Sequence, residues 1–355
     1  MQDMKVLHIA ESFGGGVVTA MAEYVHSTPE IEHHLLYGHR KQTAADSWDP
    51  YTSVRTLGSG REAIRAIRRA VDELQPDVVH AQSSFAGAFT RIALRNRRVR
   101  IVYTPHCFAF ERRDISPVAR AAYFALERVL ALNTEVLAGC SPFEARMGAQ
   151  WRGAEHAIYV PNVARVDAVE AADRGAGGRP LVVGLGRLDI QKDPEWFAGV
   201  AALLRGDVDL LWVGGGTPEA EQRMRDNGIE VSGWVDRGEA LKMLASASCF
   251  VSSALWEGFP MVLLEASELG VPVVMRELSA LEDAPESVRV RTQAEAADLT
   301  RRVVADPADR DANLAAWRHY LRENTPAIQR ERLLQAYGCG APTETTTAPF
   351  GAVGA

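Results

Sequence analysis

LVVGLGRLDIQK at residues 181–192 and SCFVSSALWEGFPMVLLE at 248–265 decide the fold. Each opens on a short apolar run of strand length, 181–185 and 248–252, and passes into a loop that carries charge. In the second, Pro260 suits a first helical turn and apolar spacing continues over 260–269. Strand followed directly by helix, repeated, is the pattern of βαβ units on a parallel sheet.

The same alternation extends in both directions. Between the two stretches it predicts helix 194–204, strand 208–213, helix 217–227, strand 229–231 and helix 237–246, and beyond them strand 272–274. Upstream it predicts strand 5–10, helix 16–27, strand 33–37, helix 60–74, strand 77–80, helix 85–96, strand 100–104, helix 117–132 and strand 136–138. The glycine-rich stretch DRGAGGRP at 173–180 reads as a linker. Two doubly wound domains are expected, at 1–166 and 177–310. Helical stretches 308–323 and 326–337 close the fold over 311–338, broken at Thr325-Pro326 because proline disfavours helical geometry before it. The aperiodic tail 339–355 is expected to be disordered.

At 355 residues the chain exceeds what one core supports, and a cleft between two domains is the default ligand site. The four cysteines form no CxxC pair, which fits a reducing compartment and neither a zinc knuckle nor a disulfide framework. The apolar start 6–10 is too short for a signal-peptide core, and no run reaches the roughly 18 residues of a membrane span. A cytoplasmic protein is expected, free or resting on the inner face of the plasma membrane. Net charge is −7: residues 1–165 hold 20 Lys and Arg against 17 Asp and Glu, the rest 19 against 29. An acidic whole argues against nucleic acid as a partner.

Glu257 and Glu265 bracket a helix start. A carboxylate in the loop can accept hydrogen bonds from sugar hydroxyls, one on the helix can grip a ribose diol, and the amides of Gly258, Phe259 and Met261 favour an anion. A capping acid followed by a surface glutamate would give the same spacing. Arg187 and Lys192 emerge at the carboxyl end of a strand, where open α/β sheets bind ligands, and two cations there would neutralise a diphosphate. A solvated basic loop reads the same way. Gly184 and Gly186 do not complete GxGxxG, because Asp189 stands at the third glycine. Gly14, Gly15 and Gly16, between a strand and a helix, permit close backbone approach to phosphate or simply a tight turn. His106, after strand 100–104, is expected to face the cleft, as ligand contact or as structural histidine. Asp207-Val208-Asp209 resembles a metal-binding DxD, but Asp209 heads the apolar run DLLWVGGG and reads as a strand start. The histidines lack metal-ligand spacing, and no metal site is expected. Arg91, Arg95, Arg97, Arg98 and Arg100 read as a solvated helix end or a contact for anionic lipid.

Glycine loop, histidine, GRLDIQK and EGFPMVLLE, in this order over residues 4–337, resemble a retaining glycosyltransferase of the large family 4. The resemblance implies the GT-B fold: two facing Rossmann-like domains, with a C-terminal helix crossing back to the first. It implies that Arg187 and Lys192 hold the donor diphosphate, Glu265 the ribose and Glu257 the transferred sugar. Gly258, Phe259, Pro260 and Met261 would line the pocket, and Gly14 to Gly16 close over the phosphates. Gly233, Trp234 and Val235 would lie near the base, and His106 would contact the donor sugar. Two departures stand out: PNVARVD replaces the family's PNGVD after Asn162, and Gly258-Phe259-Pro260 replaces a glycine-phenylalanine-glycine.

The expected reaction moves a hexosyl-type sugar from a UDP or GDP sugar to a hydroxyl of a glycan, lipid-linked or small-molecule acceptor, in bacterial polysaccharide or glycoconjugate synthesis. The sugar nucleotide is a co-substrate, and neither cofactor nor metal is implied. Glu257, His106, Arg187 and Lys192 are the expected catalytic groups. Rival readings are an epimerase or phosphorylase on the same fold, a non-catalytic sugar-nucleotide binder, and an oxidoreductase, the last weakened by the broken GxGxxG.

Overall fold

A computed structural model describes residues 4–13, 15–39, 49–166, 169 and 178–339. Its first sheet has seven parallel strands in the order β3-β2-β1-β4-β5-β6-β7. They are β1 (Lys5–Phe13), β2 (Glu32–His39), β3 (Ser53–Thr56), β4 (Val78–Gln82), β5 (Arg100–Thr104), β6 (Val136–Gly139) and β7 (Ala157–Tyr159). Helices α1 (Gly16–Ser27), α2 (Arg61–Leu74), α3 (Ser84–Ala93), α4 (Pro117–Ala131) and α5 (Pro142–Arg152) connect them. Successive residues of a strand serve opposite faces. Leu7, Val79 and Ile101 therefore share a core with residues of α2 and α3, while Val6, Val78 and Val102 share one with Tyr24 of α1.

The second sheet is also parallel, in the order β10-β9-β8-β11-β12-β13. It comprises β8 (Leu181–Leu185), β9 (Asp209–Val213), β10 (Glu230–Val231), β11 (Cys249–Ser252), β12 (Val273–Arg276) and β13 (Arg289–Val290). Its helices are α6 (Pro194–Leu203), α7 (Pro218–Asp226), α8 (Arg237–Ala245), α9 (Met261–Glu268) and α10 (Gln293–Ala305). Asp209 begins β9, as the apolar run after it predicts.

The chain then crosses domains. Helix α11 (Pro307–Tyr320) stays on the second sheet, where Trp317 and Asn313 donate to the Val273 carbonyl. Thr325 caps α12 (Pro326–Tyr337), whose Leu333, Ala336 and Tyr337 complete the first domain's core. There Gln329 donates to the Pro161 carbonyl at 2.8 Å and accepts from Ser27 at 2.7 Å.

Five elements escaped the sequence pattern: β3, α5, β7, α10 and β13. β3 and β13 are edge strands of four and two residues, too short for a period to register. α10 buries Ala296, Ala297 and Thr300 beside two large apolar residues, Leu299 and Val303, so its inner face carries little signal. Because β3 was missed, His106 follows the fifth strand and not the fourth. Most of the expected linker and residues 340–355 of the expected tail lie outside the described residues.

Both sheets reverse strand order once, between β1 and β4 and between β8 and β11. Adjacent loops diverge there and leave a crevice outside the carboxyl ends of the strands.

Candidate functional site

The two charged stretches of the second domain leave the ends of β8 and β11, the pair that flanks its crevice. Hydrogen bonds stitch them together. Leu255 N donates to the Gln191 carbonyl at 2.8 Å, Ser253 Oγ to the Lys192 carbonyl at 2.5 Å, and Gln191 Nε2 to the Trp256 carbonyl at 3.1 Å. Lys192 Nζ reaches Glu257 Oε1 at 2.5 Å. Asp193, in the left-handed region at φ 45°, caps α6 and binds Arg276 at 2.6 Å, so the residue after Lys192 is anchored too. Close packing fixes the turn: a Cβ on Gly186 would lie 2.8 Å from the Lys192 side chain, and one on Gly214 would lie 2.2 Å from the Gly186 carbonyl oxygen.

Every expected cation here faces an acid. Arg187 Nε donates to Asp189 Oδ2 at 2.7 Å and its Nη2 to Gln191 Oε1 at 3.1 Å. Glu265, nearly buried in α9, holds Arg237 at 2.9 Å. Arg237 went unnoticed in the sequence because an arginine at a helix start carries no signal until the glutamate 28 residues later folds beside it. Gly233-Trp234-Val235 leads into α8, and a Cβ on Gly215 would strike Trp234 at 2.8 Å. Trp234 remains 52% exposed, an indole face open for stacking beside the glycine triplet 214–216.

The first domain contributes a neutral histidine on a turn held by a buried acid. After β5 the backbone takes two consecutive left-handed residues, His106 at φ 49° and Cys107 at φ 92°, a geometry that costs roughly 1–3 kcal/mol per residue. Glu144, buried in the first turn of α5, holds this turn: its carboxylate accepts from Cys107 N at 2.7 Å and Cys140 N at 2.9 Å. Burial pushes the Glu144 carboxyl above its usual range, and the two amides oppose that shift. His106 Nε2 lies 2.8 Å from Gln82 Oε1, and burial lowers the imidazole to about 4. Neither Glu144 nor Gln82 stood out in the sequence: Glu144 belongs to a helix that the pattern did not show, and Gln82 ends a strand whose residues read as ordinary core positions.

The halves meet without a gap. A Cβ on Gly258 would lie 2.4 Å from Cys107 N, and one on Gly16 would lie 3.3 Å from Met261 Cγ. Gly16 opens α1 and Met261 opens α9, and neither helix has a side-chain cap, so two sets of unpaired helical amides converge on one place. Gly15 takes φ 57°, ψ −142°, a conformation open only to glycine, while Gly14 lies outside the described residues. Phe259 and Pro260 are buried between Gly258 and α9. Asn162, at the departure from the family pattern, ties the parts together: it accepts from Tyr24 at 3.3 Å, donates to the Phe259 carbonyl at 3.4 Å, and its carbonyl accepts from Asn324 at 2.8 Å.

The arginine stretch 91–100 is not one solvated patch. Arg91 is fully buried, paired with Glu127 at 2.8 Å and stacked on Tyr103, and Arg97 pairs with Asp72. Arg100 bonds the Ala336 carbonyl and so anchors α12. Arg95 and Arg98 are exposed and have no ion-pair partner among the described residues.

Two family models divide the chain as the two sheets do. Residues 17–163 match a glycosyl transferase 4-like domain, and residues 179–316 match glycosyl transferases group 1. An uncharacterised 41.2 kDa protein from the cps region of Klebsiella pneumoniae is 25% identical over 303 residues, 78% of this chain and 82% of that one. The UDP-Gal:alpha-D-GlcNAc-diphosphoundecaprenol alpha-1,3-galactosyltransferase of Escherichia coli is 27% identical over 229 residues, 57% of this chain and 58% of that one. Among solved structures, Anabaena HepE in complex with UDP-glucose superposes with a TM-score of 0.76 at 14% identity, covering 94% of this chain and 99% of that one.

Proposed function

The chain belongs to the family 4 glycosyltransferases of GT-B fold, and from that membership we propose that it transfers a hexosyl sugar from a UDP or GDP sugar to an acceptor hydroxyl, with retention of anomeric configuration. The observation that carries this reading is the trio of acid–base pairs at the second crevice, Arg187–Asp189, Lys192–Glu257 and Arg237–Glu265, set against the uncapped starts of α1 and α9. A diphosphate entering there exchanges Asp189 and Glu257 for its own oxygens on Arg187 and Lys192. The freed Glu257 then accepts from sugar hydroxyls, and Glu265 from the ribose.

The acceptor oxygen bonds to the anomeric carbon on the face from which the diphosphate leaves. The bond to the phosphate oxygen breaks, and that oxygen takes the acceptor's proton while Arg187 and Lys192 absorb its charge. Cationic side chains thus do the work of a divalent metal, and the sugar nucleotide is the one co-substrate. His106, neutral at physiological pH, meets a hydroxyl.

The acceptor is a glycan, a small molecule or a lipid-linked sugar in bacterial polysaccharide synthesis, the last in line with the diphosphoundecaprenol acceptor named for the E. coli relative. A lipid surface also fits the first domain. α4 exposes Val118 (79%), Leu126 and Val129 along one side, continued by Leu132 (70%) just after it, beside Phe85 and Ile92 of α3. Arg95, Arg98, Arg113 and Arg128 are exposed around this apolar face, without ion-pair partners among the described residues. No helix among those residues is long and apolar enough to cross a membrane, so contact on this reading is peripheral, at the cytoplasmic face.

A thermal-shift panel of UDP, GDP, ADP and TDP tests the donor site. At a hundredfold excess over Kd a bound nucleotide stabilises by about 2.7 kcal/mol. A selective shift lost in both Arg187→Ala and Glu265→Ala is expected, and it names the base. Proton NMR of the product's anomeric signal then reads retention. Absence of any shift, or an inverted product, overturns the reading.

A further inference from the structure

His106 ends a hydrogen-bonded chain that crosses the first sheet from edge side to crevice. From the far end, His33 Nε2 lies 3.1 Å from both the carbonyl oxygen and the Oγ1 of Thr28. His33 Nδ1 lies 2.9 Å from His8 Nε2, His8 Nδ1 lies 3.3 Å from Gln82 Nε2, and Gln82 Oε1 lies 2.8 Å from His106 Nε2. His33, His8 and Gln82 are buried on β2, β1 and β4, three neighbouring strands.

The direction of every proton in this chain follows from its far end. The Thr28 carbonyl can only accept, and the Thr28 hydroxyl has already given its proton to the Tyr24 carbonyl at 2.8 Å. Both atoms therefore require a proton on His33 Nε2. Burial holds His33 at about 4 and His8 well below its ordinary value, with the neighbouring histidines adding to the shift of His8, so each ring is neutral and carries one proton. A proton on His33 Nε2 leaves Nδ1 bare, so His8 must donate from Nε2. His8 Nδ1 is then bare, so Gln82 must turn its amide nitrogen toward it and its carbonyl oxygen toward His106. A reversed amide would set oxygen against a bare ring nitrogen. His106 must therefore donate from Nε2.

We propose that His106 is held as the Nε2–H tautomer, offering its unprotonated Nδ1 to the ligand as an obligate acceptor, with Gln82, His8 and His33 as positioning residues that relay this polarity from Thr28. Nδ1 has no hydrogen-bond partner among the described residues. It receives a sugar hydroxyl and repels a phosphate oxygen, which keeps the diphosphate on the cationic half of the site. This inference rests on the transferase reading for its ligand, but the tautomer itself does not depend on it.

The test is a long-range proton–nitrogen correlation spectrum of the full chain with 15N-labelled histidine, recorded at neutral pH on the wild type, Gln82→Leu and Gln82→Glu. Wild type is expected to show His106, His8 and His33 as Nε2–H tautomers, with His106 becoming a mixture in Gln82→Leu. In transfer assays Gln82→Leu is expected to lose roughly tenfold in kcat/KM, the worth of one positioned hydrogen bond. Gln82→Glu keeps an acceptor for His106 Nε2–H but sets its second oxygen against His8 Nδ1, so it is expected to lose less kcat/KM than Gln82→Leu, to shift the proton of His8 to Nδ1 and to move the His106 titration upward. Mere packing would give the reverse order, with buried leucine tolerated and buried glutamate harmful. An Nδ1–H tautomer or an imidazolium at His106 in the wild type overturns the proposal. A chain that binds no nucleotide but shows these tautomers sinks the transferase reading alone.

Discussion

The two crevices share a topology and differ in chemistry. Each sits where a parallel sheet reverses its strand order, each is entered by loops from two neighbouring strands, and each abuts the other through a glycine, Gly16 on one side and Gly258 on the other. The second crevice is ionic: Arg187, Lys192 and Arg237 each face an acid within 2.9 Å. The first is neutral, built from His106, Gln82 and the buried histidines behind it. Charge that is part exposed can exchange partners at small cost, because water screens the intermediate state. Buried neutral groups cannot exchange, so they hold one arrangement. The ionic crevice is thereby suited to a ligand that arrives and leaves as an anion, and the neutral one to fixed geometry.

The comparison breaks first at Lys192. Lys192→Ala removes a cation from the departing diphosphate and leaves Glu257 unpaired; kcat is expected to fall by about 10²- to 10³-fold, the usual cost of one transition-state donor. Steady-state kinetics with a matched donor checks this, and an unchanged kcat would mean the ionic crevice only binds.

Acid should dissolve the neutral crevice before the ionic one. His33 and His106 titrate near 4 in the folded chain and near 6.5 unfolded, so the unfolded chain binds more protons in between. Stability is therefore full above pH 6.5 and falls as pH drops from 6.5 toward 4, by on the order of 3 kcal/mol for His33 alone. Melting temperatures between pH 7 and 5, above the range where ordinary carboxylates titrate, read this directly. A flat profile there would show the histidines to be charged or solvated.

Contact between the crevices is tested at Gly258. A methyl group there would meet the His106–Cys107 backbone at 2.4 to 2.5 Å, so Gly258→Ala must push the domains apart. About a tenfold to hundredfold loss of kcat/KM is expected with nucleotide binding retained, because each half-site survives while their alignment does not. Small-angle scattering of the variant should report a longer particle; full activity would show that turnover does not use this contact.

The smallest effect belongs to the lipid face. Arg98→Ala with Arg128→Ala is expected to weaken binding to phosphatidylglycerol vesicles by a few tens of fold, from roughly 1 kcal/mol for each of the two charges near the surface. Flotation assays at fixed ionic strength measure it, and unchanged binding would leave α4 without a lipid role.

The ionic crevice was far more legible than the neutral one. GRLDIQK and EGFPMVLLE place charges within a few residues of a strand end, a local pattern that survives without knowledge of what lies opposite. His106 was visible too, but its partners were not. Gln82, His8 and His33 lie 24, 98 and 73 residues away and read as ordinary strand positions. Arg91 shows the converse failure: five arginines in ten residues look like a solvated surface, yet one of them is buried against Glu127 because α4 packs there. β3, β13 and α10 were missed for a simpler reason, since short edges and faces part made of alanine carry little periodic signal.

The sequence by itself determined the alternation of strand and helix, the two-domain division and the gathering of charged loops at the ends of β8 and β11. These follow from local periodicity and from charge next to an apolar run. Tertiary structure alone decided which acid each cation meets, that α12 returns to the first sheet through Tyr337 and Gln329, and which nitrogen of His106 carries its proton. That last choice is made at the carbonyl of Thr28, and it reaches the crevice only because buried neutral groups must each find a partner.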